Sequence, residues 1–203
     1  MTGLERRILS QPLELRAADG ATAPRITGYA ALFNREAVIG GWFREQIAPG
    51  AFTTALAEDD VRALFNHDAN YVLGRTTAGT LTLEADAIGL RYDCEPPATT
   101  WAADLLVTVA RGDVTQSSFG FRVVKDSWTT PETSAELPLR TIEEARLYDV
   151  SPVTYPAYED TTAEARDAAS AARRPAAVPF VDHAGLAATV LRQKRQDIIE
   201  GLL

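Results

Sequence analysis

The sequence predicts an α+β domain that is mainly β, built as a β-barrel or a compact mixed domain, with a separate C-terminal tail. Three features predict it. Short runs alternating apolar and polar residues recur through about the first 160 positions, divided by turn residues. Only two stretches there have helical periodicity, and they interrupt the strands instead of alternating with them as βαβ units would. After Pro156 the composition shifts to Ala, Thr, Glu and Arg, which sets the domain at 1–160 and the tail at 161–203.

Taken in order, Arg6–Leu9 and Leu13–Arg16 read as short strands, and Ala17–Ala21 with its Asp19-Gly20 as a turn. Arg25–Asn34 reads as a strand in which Gly28 marks a bend or a close backbone approach. Val38–Ile47, with Gly40-Gly41 inside it, reads as a hairpin or loop leading into a strand. Phe52, Ala55 and Leu56 share one helical face; Pro49-Gly50 opens that helix and Glu58-Asp59-Asp60 closes it early, since acids oppose the dipole at a C-terminus. Val61–Phe65 is then a strand presenting Asn66-His67-Asp68 at its end, with a turn before Leu73-Gly74-Arg75.

Thr80–Ala85 and Gly89–Cys94 alternate and form a hairpin across Asp86–Gly89. Thr99-Thr100 caps a helix from Trp101 to about Arg111, and Gly112-Asp113 ends it. Val114–Val124 returns to strand and carries Ser118. Lys125–Pro138 has the composition of a mobile surface loop. Arg140–Ile142 and Ala145–Ser151 are expected to pair around a turn at Glu143-Glu144. In the tail, Arg173–Ala177 reads as a linker and Leu186–Ile199 as an amphipathic helix.

Composition narrows the chemistry. A net charge of −8 over 203 residues argues against nucleic acid as the main partner, which would need a basic face. The single cysteine, Cys94, rules out an intrachain disulfide and fits a reducing compartment. Its acidic neighbours Asp93 and Glu95 would raise a thiol pKa, so it reads as a core or strand residue and not a nucleophile. No Cys/His cluster has metal-ligand spacing, no Gly-rich loop suits a phosphate, and no apolar run is long enough for a bilayer. No cofactor, metal, nucleic acid or membrane is therefore expected. The N-terminus lacks the apolar core of a secretory signal.

What remains is a hydroxyl, a base and an acid. Of the two histidines, His183 reads as part of a solvated tail segment, whereas His67 stands at the end of an apolar strand, where a rigid scaffold would present it. Ser117 and Ser118 precede Phe119-Gly120-Phe121, and Asp149 lies in Leu147–Pro152. A nucleophilic hydroxyl needs a base and a group that fixes the base's tautomer, and these three residue types could supply them. Each also has a plain structural reading: His67 as a hydrogen-bonded strand end, the serines as strand residues, Asp149 as an ion-pair partner of Arg146 or Arg122.

The order of segments resembles the prohead maturation proteases of tailed bacteriophages, a family similar in fold to the herpesvirus capsid-assembly proteases. The resemblance rests on Gly28–Asn34, Glu45–Phe52, Phe65–Asp68 with Leu73–Arg75, Ser117–Phe121 and Tyr148–Tyr158, together spanning about residues 25–160. It implies a closed β-barrel with a few surrounding helices. It also implies a serine endopeptidase with His67 as base, Ser118 as nucleophile (Ser117 being the alternative one register away) and Asp149 as the acid, a position where the family often has Glu. Gly120 and the amides beside Ser118 are candidates for the oxyanion site.

The resemblance further implies work in the host cytoplasm and the procapsid interior during capsid assembly and virion maturation. The partners would be the major capsid protein and a scaffold protein or domain. Autocleavage is expected too, along with a homodimer or higher assembly. The tail would suit self-removal, or docking to scaffold or capsid through Leu186, Val190 and Leu191. Met1 and the tail together suit an uncut precursor. The rival reading is a non-enzymatic capsid-assembly protein that keeps the protease fold. An esterase-like hydrolase is disfavoured by the lack of a Gly-x-Ser-x-Gly elbow. A small β-barrel binding module would never react with serine-directed probes.

Overall fold

The computed structural model describes residues 4–9, 13–16, 24–131, 133 and 136–155. The strands along them are β1 (Glu5–Leu9), β2 (Glu14–Arg16), β3 (Arg25–Leu32), β4 (Ala37–Ile39), β5 (Phe43–Ile47), β6 (Arg62–Phe65), β7 (Asp68–Arg75), β8 (Leu81–Ala85), β9 (Gly89–Cys94), β10 (Gln116–Thr129) and β11 (Leu139–Val153). Two α-helices, α1 (Thr53–Glu58) and α2 (Thr100–Arg111), and a 3₁₀ turn at Thr76–Ala78 interrupt them. The chain is therefore mainly β, as the alternating runs predicted. No helix among the described residues is long and apolar enough to cross a membrane. The expected turn at residues 17–21, the linker, the terminal helix and His183 lie outside the described residues.

The antiparallel pair β10 and β11 is the spine. Residues 117–121 of β10 are buried on both faces, because they lie inside one sheet and against the other. One sheet runs β1-β10-β11-β5-β4, with β6 also on β11 and β7 beyond β6. Both β5 and β6 run parallel to β11, against its first and second halves respectively. The second sheet, β2-β3-β9-β8, is antiparallel throughout.

The closed barrel does not form among the described residues. Where β3 would join β5, there is a single bridge between Phe33 and Ile47, and the chain then turns away at Asn34, whose φ is +53°. Side chains fill the seam instead. Ile26, Leu90 and Tyr92 from the second sheet share one core with Phe119, Phe121, Leu147 and Val150 from the first. Phe52, next to α1, meets Phe119 edge-on at 5.9 Å between ring centres.

Two sequence expectations fail at β10 and β11, for one reason. The segment read as a loop from Lys125 continues as strand to Thr129, and Glu143-Glu144 is not a turn but the middle of a 15-residue strand. Both stretches are polar because this end of the pair faces solvent, not because the backbone turns. Asp126 pairs with Arg140 at 2.6 Å, Lys125 with Glu143 at 2.6 Å, and Trp128 packs edge-on against Phe43. Register shifts around Lys125 absorb the irregularity as bulges.

The helices follow their sequence signals. α1 starts at Thr53 and stops at Asp59, which uses its acid to bind β11: its carboxylate accepts from Arg146 Nε at 2.7 Å and the Leu147 amide at 2.8 Å. Thr99 stands at the N-cap of α2, and Gly112 closes it in the left-handed region at φ +81°. Its buried side is Ala102, Leu105, Leu106 and Val109.

β1 is fixed to the sheet by charge as well as by its ladder. Arg7 donates to buried Glu45 on β5 at 2.6 Å, and Arg140 joins both Glu45 and Glu5 at 3.1 Å. Each buried charge here has an opposite partner, the condition for ions away from water.

Candidate active site

β6 and β7 are joined by a two-residue loop, with Phe65 opposite Asp68 and Asn66-His67 at the tip. Both tip residues have positive φ, +54° and +56°, the pattern of a type I′ hairpin turn. Asn tolerates this conformation well, and His is among the residues enriched there. The sequence reading placed His67 at a strand end; the structure makes it the second corner of a tight turn, where Gly is usual.

That turn aims the imidazole between β10 and β11. His67 Nδ1 lies 2.5 Å from Asp149 Oδ2, and its Nε2 lies 2.6 Å from Ser118 Oγ. The structure thus brings together the histidine, serine and acid singled out in the sequence. Their side chains are nearly closed off from water: those of His67 and Asp149 are 6% and 8% exposed, and Ser118 is 0% exposed. In the tautomer with a proton on Nδ1, the imidazole donates to Asp149, and Nε2 is free to accept from the Ser118 hydroxyl.

Asp149 has a second support. The Ser151 hydroxyl donates to the same Oδ2 at 2.7 Å. Asp149 and Ser151 are two apart on β11, hence on one face of the strand. The alternative of an ion pair with Arg146 or Arg122 is not what forms. Arg146 binds Asp59 and Glu58, and Arg122 lies exposed opposite Arg146 in the ladder.

Adjacent Ser117 points the other way. Its Oγ lies 2.8 Å from the Tyr92 hydroxyl, buried between the sheets. Gly28 faces the same spot: a Cβ there would come within 3.6 Å of Ser117 Oγ and 3.1 Å of Leu13. The close approach expected at Gly28 is therefore real.

Gly120 is opposite Asp149 in register, and a Cβ on it would meet Asp149 Oδ1 at 2.4 Å. Its missing side chain makes the space in which the carboxylate stands. This is a different job from the oxyanion role considered for it.

Three participants were not singled out in the sequence. Ser151 was legible as the i+2 neighbour of Asp149. Asn66 was legible as a residue suited to a tight hairpin. The third is a backbone atom: the carbonyl oxygen of Arg7, on β1, lies 2.9 Å from Ser118 Oγ and competes with His67 for its one proton. No side-chain pattern encodes it.

Cys94 lies buried beside Gly74, and burial pushes its thiol up to about 12, in keeping with a core role. No group of three or more His, Cys, Asp or Glu among the described residues could hold a metal ion.

A hydroxyl, an imidazole and a carboxylate in line can pass a proton from oxygen to nitrogen as the oxygen attacks a carbonyl, which is the chemistry of a serine hydrolase. Residues 11–174 match the Caudovirus prohead serine protease family, and the chain belongs to it. A comparison with curated proteins finds no match. Among solved structures, the capsid assembly protease gp21 of bacteriophage T4 matches with a TM-score of 0.49 and 12% identity, over 75% of this chain and 98% of that one.

Proposed function

We propose that the chain is the maturation protease of a phage prohead, cutting the scaffold or the major capsid protein, and itself, with Ser118 as nucleophile, His67 as general base and Asp149 as its orienting acid. The observation that carries this is the unbroken line Ser118 Oγ, His67 Nε2, His67 Nδ1, Asp149 Oδ2 in a chain of the prohead protease family. Ser118 Oγ attacks the scissile carbonyl carbon as its proton moves to His67 Nε2. His67 then delivers that proton to the leaving amine, and the peptide bond breaks. Water adds to the acyl-enzyme, its proton passing to Nε2 and on to Ser118 as the new C-terminus leaves. Asp149 keeps Nδ1–H aligned and stabilises the imidazolium.

The acid is Asp, where the family often has Glu. The shorter carboxylate reaches the imidazole because Gly120 lets it stand close to β10. The domain would be residues 1–160, and the tail from 161 would bind scaffold or capsid, or be removed. The work would take place in the procapsid, with a homodimer or higher assembly as the working form.

The test is reaction with a fluorophosphonate, followed by intact mass and peptide mapping. Wild type is expected to carry one adduct, on Ser118, and Ser118→Ala none. An adduct on Ser117, or none on wild type, would overturn the assignment.

A further inference from the structure

We infer that Asn66 is a positioning residue for His67, acting through a clamp on Thr154, and this rests on the protease reading of the site. β6 meets β11 in a very short parallel ladder, Asp149 opposite Arg62 and Val150 opposite Ala63. Past that point β11 contains Pro152, which has no N–H to offer. Asn66 takes over there. Its own amide donates to the Pro152 carbonyl at 3.0 Å, its side-chain Oδ1 accepts from the Thr154 amide at 2.8 Å, and its Nδ2 donates to Thr154 Oγ1 at 3.2 Å. The side-chain Oδ1 thus gives the Thr154 amide the acceptor that β6 no longer presents once the chain turns at Asn66, and continues the joint between the two strands beyond the proline.

The two ends of this joint carry the two ends of the His67–Asp149 contact. His67 follows Asn66 directly, and Asp149 lies on β11, which Thr154 directly follows. The turn itself is only two residues long and holds both of them at positive φ. The hairpin below is secured independently by the Arg62–Arg75 and Ala63–Gly74 pairs. Loss of the clamp therefore leaves the fold intact and lets the tip swing. Catalytic groups tolerate displacements of only about 0.5 Å, so a small swing matters.

The deciding variant is Asn66→Gly. Glycine adopts positive φ without strain, so this change removes the clamp and keeps the turn. Asn66→Asp keeps an acceptor for the Thr154 amide. Two measurements are made on the full chain: the kinetics of fluorophosphonate inactivation, and the proton NMR signal of His67 Nδ1–H, which lies far downfield when that proton is held by a carboxylate. Asn66→Gly is expected to lower the limiting inactivation rate about 10²-fold with little change in the half-saturating concentration. It should also broaden or erase the downfield signal while the melting temperature stays within a few degrees. Asn66→Asp is expected to retain the signal and stay within about tenfold of wild type. Should Asn66→Gly not fold, Thr154→Val, which deletes only the Oγ1 acceptor, decides: a several-fold loss of rate supports the clamp, and none opposes it. Wild-type rate and signal in Asn66→Gly would overturn the inference. A wild type that never reacts would instead overturn the protease reading, and the NMR comparison would still test the clamp.

Discussion

At the scale of single residues, the site depends on which side of a strand each atom occupies. Ser117 and Ser118 are chemically identical neighbours, yet one faces Tyr92 and the other His67. The sequence could name the pair, but choosing between them rested on family resemblance, because alternation says that they diverge without saying which faces the histidine. Their substitutions should separate cleanly. Ser118→Ala is expected to lower catalysis by roughly 10⁴-fold or more at unchanged stability. Ser117→Ala should keep activity but lose about 1–2 kcal/mol in urea denaturation, because the buried Tyr92 hydroxyl loses its partner. Gly120→Ala tests the space beneath Asp149. Its Cβ would press on Oδ1 of a carboxylate that His67 and Ser151 already hold by Oδ2. Activity is expected to fall at least 10²-fold, while the melting temperature drops only a few degrees; an active Gly120→Ala would mean that the carboxylate can shift at no cost.

At the scale of elements, strands with one wet and one dry face were legible, and so were the hairpin at Asp86–Gly89 and both helices. What could not be read was the extent of β10 and β11: the end of β10 beyond Val123 is almost wholly exposed and so has the composition of a loop, and Glu143-Glu144, half-buried in mid-strand on β11, has that of a turn. Nor could the sequence show that His67 sits on the hairpin tip itself, as that requires a non-glycine corner at positive φ. The β8–β9 hairpin offers a check by pH. The Tyr29 hydroxyl, above all, holds the Asp86 carboxyl below the usual carboxylate range, with help from the amides of Gly89 and Ile88. A carboxylate with a lowered folded pKa stabilises the protein above its ordinary pKa, and that stabilisation fades as pH falls through the folded value. The melting-temperature gap between wild type and Asp86→Ala should therefore be full at pH 7 and shrink toward pH 3. A gap that widens on acidification would contradict the pairing.

At the scale of the whole molecule, two sheets share one core and meet at a seam crossed by a single bridge, so the expected barrel is open. Closure depends on whether two strand edges come within hydrogen-bonding reach over several residues, a long-range property that local alternation does not encode. The same architecture buries Ser118 completely, with the Arg7 carbonyl of β1 against its hydroxyl. On the proposed reading a substrate carbonyl has to reach Ser118, so opening of the site would precede chemistry. Reversible opening scales fluorophosphonate inactivation by the open fraction, so the rate should rise with urea added below the unfolding transition, whereas a rate that urea leaves unchanged would mean that Ser118 is already reachable.

The most direct measurement is intact mass of this chain and its cognate major capsid protein after co-expression, for wild type and for Ser118→Ala. Shortened capsid protein and a shortened protease in the wild type alone is the predicted result. Identical masses in both, under conditions where proheads assemble, would contradict the account and leave the fold to a non-enzymatic role in assembly.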